Sequence, residues 1–458
     1  MHGTHQLKQM QQQRVSQLTR DAHSYEFFNE LTKPELLDIL EKGMPAYRER
    51  LFPPATTLSI FMAQLLSPDS SCQAAVNRHV VERVANGLSE CSTHTGAYCK
   101  ARSRLPLPLM QSLVRHTADL MVASTGTTWR WRGRTVKMVD GSTVTMPDTP
   151  KNQALYPQSG IQAPGLGFPI ARVAALLCLG TGAVIDTAMG PCRGKGESEQ
   201  SLLYRMLPRV ASDDVLIADR YYCSYFGIAM VQLRGADVIF QQHQRRITDF
   251  RRGRRLGVRD HVVTWQKPKQ KPEWLSQADY DEAPETLTVR EVQAGKKVLV
   301  TTLLSPGIGM KELKQLYTQR WNVELDLRNI KATLGQDRLA CQTPLMNEKQ
   351  WWAALLAYNL IRLLMARSAK IADVMPRQIS FKHCLQLWNA WSMRGDRVNE
   401  AEEDVLFKLM AQQRVANRPG RIEPRSVKRR PKPYPLLMRH RHLERQQIQL
   451  HGHPKKLK

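Results

Sequence analysis

Hydrophobic and polar positions follow different periods along the chain. Through residues 25–125 the apolar residues recur at helical spacing. Leu36, Leu37 and Leu40 follow the capping box Thr32-Lys33-Pro34-Glu35, and Leu109, Leu113 and Leu120 run beside Met110, Val114 and Met121. After Trp131 the pattern shortens. Residues 136–140 predict a strand ended by Gly141, and 170–179 with 183–189 predict a hairpin turned at Gly180-Thr181-Gly182. Residues 198–210 read as helix. Residues 215–219 are apolar up to Asp219, as expected of a strand covered on both faces. A helix over 223–233 and a strand from Val238 follow, so the segment describes a mixed α/β sheet with Asp140 and Asp219 at strand ends.

Residues 244–305 break this alternation. Arg245, Arg246, Arg251, Arg252, Arg254, Arg255 and Arg259 crowd one stretch, and Lys267, Lys269 and Lys271 surround Trp265 and Trp274. Two strands, 286–292 and 297–304, are joined through Gly295, and the whole reads as a basic β-insertion rather than more of the core sheet. Helices are expected from about Lys311 to about Gln412. From Arg414 the chain is basic and proline-rich, with only Glu423 and Glu444 as acids, and is expected to stay disordered without a polyanion. No internal repeat is visible.

Charge sharpens the picture. The 458 residues hold 67 Lys and Arg against 41 Asp and Glu, a net charge of +26, and nucleic acid is the commonest partner for such an excess. Anionic membrane is the competing partner, but Asn359 and Arg362 interrupt the one long apolar run, 351–366, which falls short of the ~20 residues a span needs. The polar, Gln-rich start carries no apolar signal segment, so a cytoplasmic, nucleoid-associated location is expected. Eight scattered cysteines without a C-x-x-C pair argue against a zinc ribbon or a disulfide framework. Gly194-Lys195-Gly196 lacks P-loop spacing, so no nucleotide cofactor is expected.

The most informative segment spans 317–331. At about 100° per residue, Tyr317, Arg320, Glu324 and Lys331 fall within an arc of roughly 60°, beside an apolar stripe of Leu316, Val323, Leu327, Ile330 and Leu334. At about 1.5 Å per residue, Arg320 and Lys331 lie roughly 6 and 10 Å from Glu324, which suits a carboxylate metal ligand flanked by phosphate-binding cations. An ordinary exposed helix with an Arg320–Glu324 pair fits the same spacing, and geometry alone leaves both open.

These four residues match Y-x2-R-x3-E-x6-K, and the segment resembles the signature of bacterial DDE transposases of the insertion-sequence-four family. Asp140 in Val-Asp-Gly-Ser resembles that family's first catalytic aspartate, and Asp219 in Leu-Ile-Ala-Asp-Arg-Tyr-Tyr its second; a β-rich insertion before the glutamate is also a family feature. The resemblance covers about residues 25–400. It implies an α/β fold with a ribonuclease-H-like mixed-sheet core, a β-rich insertion and flanking helical regions. It implies Mg²⁺, with Mn²⁺ able to substitute, held by Asp140, Asp219 and Glu324 for cleavage and strand transfer of DNA. It also implies double-stranded DNA partners (terminal inverted repeats and target) and a homodimer on paired ends. Tyr317, Arg320 and Lys331 would hold phosphates. Trp265, an aromatic among cations, is the candidate to receive an unstacked base, a role its spacing leaves open beside that of covering the insertion's own small core, with Trp274 second and Trp321 assigned to packing.

The expected division is a helical DNA-binding region over 1–130, the first core part over 131–243, the insertion over 244–305, the glutamate-bearing core part over 306–370 and a helical region with basic tail over 371–458. Three other features compete for attention. Asp148 lies in a Pro-Asp-Thr-Pro turn and suits capping, Asp186 within a strand could line the cleft, and Lys100, Arg102 and Arg104 form a basic edge that is either surface or DNA contact. A catalytically silent DNA-binding relative, or a nuclease that cuts without joining, are the alternative functions.

Overall fold

The computed structural model describes residues 39, 42–44, 51–85, 87–194, 197–392, 400–415, 434, 435 and 437–455. The capping box at Thr32 and the Gly194-Lys195-Gly196 segment fall wholly or partly outside these. The first helices are α1 (Pro54–Leu66), α2 (Cys72–Ala85), α3 (Gly96–Arg104) and α4 (Leu107–Ala123). Then come strand β1 (Val136–Thr145), α5 (Pro150–Leu155), β2 (Ile170–Cys178), β3 (Val184–Pro191), α6 (Glu199–Met206), β4 (Val215–Ala218), α7 (Tyr225–Gln232) and β5 (Asp237–Gln241). The basic segment supplies β6 (Arg254–Gly257), β7 (Asp260–Gln266), α8 (Gln277–Glu282), β8 (Thr286–Ala294) and β9 (Lys297–Thr301). Helices α9 (Met310–Thr318), α10 (Trp321–Arg328), α11 (Pro344–Ile371), α12 (Phe381–Trp391), α13 (Glu400–Gln412) and α14 (Arg441–His451) complete the described chain.

One sheet holds all nine described strands, in the order β3-β2-β1-β4-β5-β9-β8-β7-β6. The insertion is therefore not a separate β unit. Its last strand returns antiparallel to β5, pairing Phe240 with Val300, and carries β8, β7 and β6 outward as an extension of the same sheet. Sequence pattern cannot register this, because an edge and an extended edge read alike in one strand.

Strand β1 also outruns its expected end. Gly141 does not stop it, since β2 keeps pairing from Lys137↔Cys178 through Thr145↔Ile170. The parallel partner β4 stops earlier, at Met138↔Ile217. Asp140 thus sits just past the parallel ladder, and Asp219 follows the last residue of β4. Carboxyl ends of adjacent parallel strands are where α/β sheets open a crevice.

Two apolar layers cover the sheet. Met138 and Val144 of β1 pack with Val323, Leu327 and the middle of α11, while Val139 faces Leu202 and Leu203 of α6. Alternation along a strand then puts Asp140 on the α10 side and Gly141 on the α6 side. Arg362, one of the two residues that interrupt the apolar run of α11, is buried and ion-paired to Asp326 of α10; Arg377 joins the same carboxylate at 2.8 Å. Among the described residues no helix is long and apolar enough to cross a membrane.

Other expectations are revised. Arg102 is not a surface cation: it lies buried against Phe61 and Tyr98 and donates to Gln64 at 3.3 Å. Part of the tail is ordered, because Arg441 at the start of α14 pairs with Asp148, donates to the Leu166 carbonyl at 2.8 Å and covers the Phe168 ring. Asp148 anchors that helix, and the cap of α5 is Thr149, whose hydroxyl accepts from the Asn152 N–H.

Candidate active site

The signature segment is not one continuous α-helix. At the junction of α9 and α10 the backbone tightens to i→i+3 bonds, with Arg320 N–H to Tyr317 and Val323 N–H to Arg320, both at 3.0 Å. Beyond α10, residues Asn329–Thr333 widen into a π-helical turn. The apolar stripe explains the placement: Val323, Leu327, Ile330 and Leu334 are all buried in the layer over β1. The polar edge is thereby pressed along the end of that strand.

Arg320 is the hub. Its guanidinium lies 3.5 Å from Asp140 Oδ2 and 2.7 Å from Glu324 Oε1, so one cation bridges carboxylates 184 residues apart in the chain. Lys331, from the π turn, donates its Nζ to Ser142 Oγ at 2.9 Å, two residues beyond Asp140. Asp219 Oδ1 accepts from the Tyr221 N–H at 2.8 Å, and Asp140 Oδ1 from the Gly141 N–H at 2.9 Å. Burial pushes the Asp140 carboxyl up to about 6 against the pull of Gly141 and Arg320, with the charges of Asp219 and Glu199 adding to the rise. Glu199 is likewise raised, first by burial.

Not every expected residue stands where the spacing put it. Tyr317 is only 7% exposed and packs with Leu313 and Leu316 over β5, its hydroxyl 3.4 Å from Gln241; burial raises it to about 12. Trp265 is 5% exposed, donates its indole N–H to Glu291 at 3.1 Å and lies beneath the Arg246 guanidinium, 3.5 Å from the ring centroid. Strand β7 turns it into the sheet's own apolar layer, so it offers no free face to a base. Trp274 packs on Tyr204. Trp321, expected to be packing, is instead 60% exposed beside Arg320. Asp186 is buried on the Val139 side of the sheet and paired to Arg115 at 3.1 Å, away from the Asp140 side.

Carboxylate oxygens are the donors a hard divalent cation selects. As placed, no three such groups among the described residues converge closely enough to hold an ion. The positive charge between Asp140 and Glu324 is the Arg320 guanidinium, so the pair is already arranged around a cation. The donor chemistry fits a divalent metal, although the carboxylates as placed are not gathered around one point. Sequence reading missed Glu199 and Tyr222, which stand at the same end of β1. Glu199 reads as the first residue after a Ser cap, a common place for an acid at a helix start, so no local signal marks it.

The family described as Transposase DDE domain matches residues 131–360, a span that contains all three acids. The Transposase InsG for insertion sequence element IS4 of Escherichia coli (strain K12) is 26% identical over 415 residues, covering 88% of this chain and 91% of that protein. Among solved structures, the cryo-EM structure of the piggyBac transposase synaptic complex with hairpin DNA is 10% identical with a TM-score of 0.40, covering 84% of this chain and 82% of that one.

Proposed function

Because this chain belongs to the transposase DDE domain family and is a DNA transposase of the insertion-sequence-four kind, we propose that Asp140, Asp219 and Glu324 are its catalytic carboxylates. The core around them is then ribonuclease-H-like, with β1, β4 and the α10 helix each delivering one acid. A divalent metal is what the family generally uses, and Mg²⁺, replaceable by Mn²⁺, is the ion we assign to these oxygens. When bound, the ions supply Lewis acidity toward the leaving oxygen and lower the pKa of the attacking water or DNA 3′-hydroxyl.

The remaining chemistry belongs to the protein's own side chains. Arg320 can turn its planar fork from the two carboxylates to a phosphodiester, on which it would make two parallel hydrogen bonds. Lys331, tethered among the described residues to a neutral hydroxyl, offers a point charge to a neighbouring phosphate. Tyr317 serves from beneath, as packing under Arg320 rather than as a phosphate contact. The DNA partners are the element's terminal inverted repeats and its target, engaged by a homodimer on paired ends. The division into flanking helical regions, a core and a basic strand extension is part of the same proposal.

The single observation that carries the site is the Arg320 bridge from Asp140 to Glu324. Asp140→Ala, Asp219→Ala and Glu324→Ala should each abolish Mg²⁺-dependent strand cleavage while leaving end-DNA binding intact. Retained cleavage in all three variants would remove the assignment.

A further inference from the structure

The Asp140 end of strand β1 carries a fourth carboxylate. Glu199 opens helix α6, whose start is fixed by a reciprocal pair of bonds between Ser198 and Ser201. From there its side chain crosses β1 at Gly141. A Cβ built on Gly141 would stand 2.3 Å from the Glu199 Cδ and 2.6 Å from each of its oxygens. Any residue other than glycine at that position would expel the carboxylate. The glycine that follows Asp140 therefore does not end the strand; it makes room for Glu199 on the face opposite Asp140's neighbours.

Two further observations locate that carboxylate. Tyr222, buried behind it, donates its hydroxyl to Glu199 Oε2 at 3.2 Å. Glu199 lines one open cleft together with Asp219, Arg220, Tyr221 and His243. Among the described residues Glu199 forms no ion pair, and the Arg172 charge acts on it only from beyond ion-pair distance. A half-buried carboxylate held against a strand backbone with one hydroxyl donor and a distant guanidinium is incompletely compensated unless a closer positive charge arrives. If it served only to hold Tyr222, a glutamine would do the same without that cost.

We propose that Glu199 is a metal-ligating carboxylate of this centre, joining Asp140 and Asp219 around a divalent cation. The inference rests on the catalytic assignment above. It would add a carboxylate donor from the α6 side of the sheet, the side opposite Glu324.

The test is Mn²⁺ binding to the full chain, read from the spectrum of free Mn²⁺ by electron paramagnetic resonance, without DNA and without turnover. Glu199→Gln keeps the volume and can still accept the Tyr222 hydrogen bond, so a structural role leaves the reading unchanged. The expected result is a loss of affinity of at least about tenfold, since even partners one step removed from a metal cost that much. A smaller loss overturns the proposal. Should Glu199→Gln fail to fold, wild-type protein loaded with Fe²⁺ and exposed to ascorbate and peroxide decides the matter. Chain cuts are expected around residue 199 as well as around 140 and 219, and their absence at 199 overturns it. Asp219→Ala separates the two claims. If it abolishes Mn²⁺ binding while Glu199→Gln does not, only the present inference falls; if Asp140→Ala, Asp219→Ala and Glu324→Ala all bind Mn²⁺ normally, the catalytic assignment falls with it.

Discussion

Lys331 reaches across from the π turn to Ser142, its Nζ 2.9 Å from the hydroxyl oxygen. This tie joins the segment carrying Glu324 to the strand carrying Asp140, and among the described residues no carboxylate pairs with the ammonium. Lys331→Ala is expected to weaken binding to the element's end DNA at every sequence alike and to lower the salt slope of log K by about one. Fluorescence anisotropy over a salt series measures it. An unchanged slope would show that Lys331 does not contact phosphate.

Trp265 and Trp321 should part company. Trp265 is buried, so Trp265→Ala is expected to cost roughly 3–5 kcal/mol of stability, with any loss of DNA binding tracking unfolding. Trp321 is exposed, so Trp321→Ala should change stability by less than about 0.5 kcal/mol. If Trp321 stacks on an unpaired base, its removal costs roughly 1–3 kcal/mol of affinity for frayed DNA ends. Denaturation curves and end-binding titrations on both variants decide; equal stability losses would contradict the placement.

Asp326 clamps the catalytic helix. Its carboxylate is 1% exposed and pairs with Arg362 of α11 and with Arg377, and it also accepts from the Tyr358 hydroxyl at 3.1 Å. Asp326→Ala strands two guanidinium groups and is expected to destabilise the fold by roughly 3–5 kcal/mol. Replacing Asp326 and Arg362 together by apolar residues should recover part of that loss. Urea denaturation of the single and double variants checks both statements, and equal stability of single and double variants would deny the coupling.

His79 gives the N-terminal helices an acid limit. Its ring lies 5.4 Å from Phe52, buried, and neither nitrogen has a hydrogen-bond partner among the described residues. Burial first, then the Arg83 charge, lowers its pKa from 6.5 to about 4. The unfolded chain takes up this proton near pH 6.5 while the folded chain resists until about 4, so the stability present above 6.5 is lost as pH falls through that window. The loss should reach roughly 3 kcal/mol at the acid end. His79→Phe should flatten the dependence between those pH values; an unaltered slope in denaturation midpoints would place the acid sensitivity elsewhere.

What the sequence determined by itself was local. The apolar run up to Asp219 reads as a covered strand, the stripe from Leu316 to Leu334 as a face that packs on a sheet, and the spacing from Tyr317 to Lys331 as a signature whose resemblance implies the chemistry. The strand and the stripe are short-range constraints, fixed by the period of strand or helix, whereas the chemistry came from the family resemblance that the Tyr317–Lys331 spacing carries and not from the spacing itself. What tertiary structure decided depends on residues far apart in the chain. Nothing near Trp265 says that it faces inward while Trp321 faces out, because β-strand register is set by the partner strand. Nothing near Gly141 says that it continues β1 and shelters a carboxylate from a helix 58 residues later. The insertion's return to β5 and the bridge from Asp140 through Arg320 to Glu324 are of the same kind. Loop closure over such distances leaves no local mark, since its cost grows only slowly with length and its reward lies entirely in the contact made.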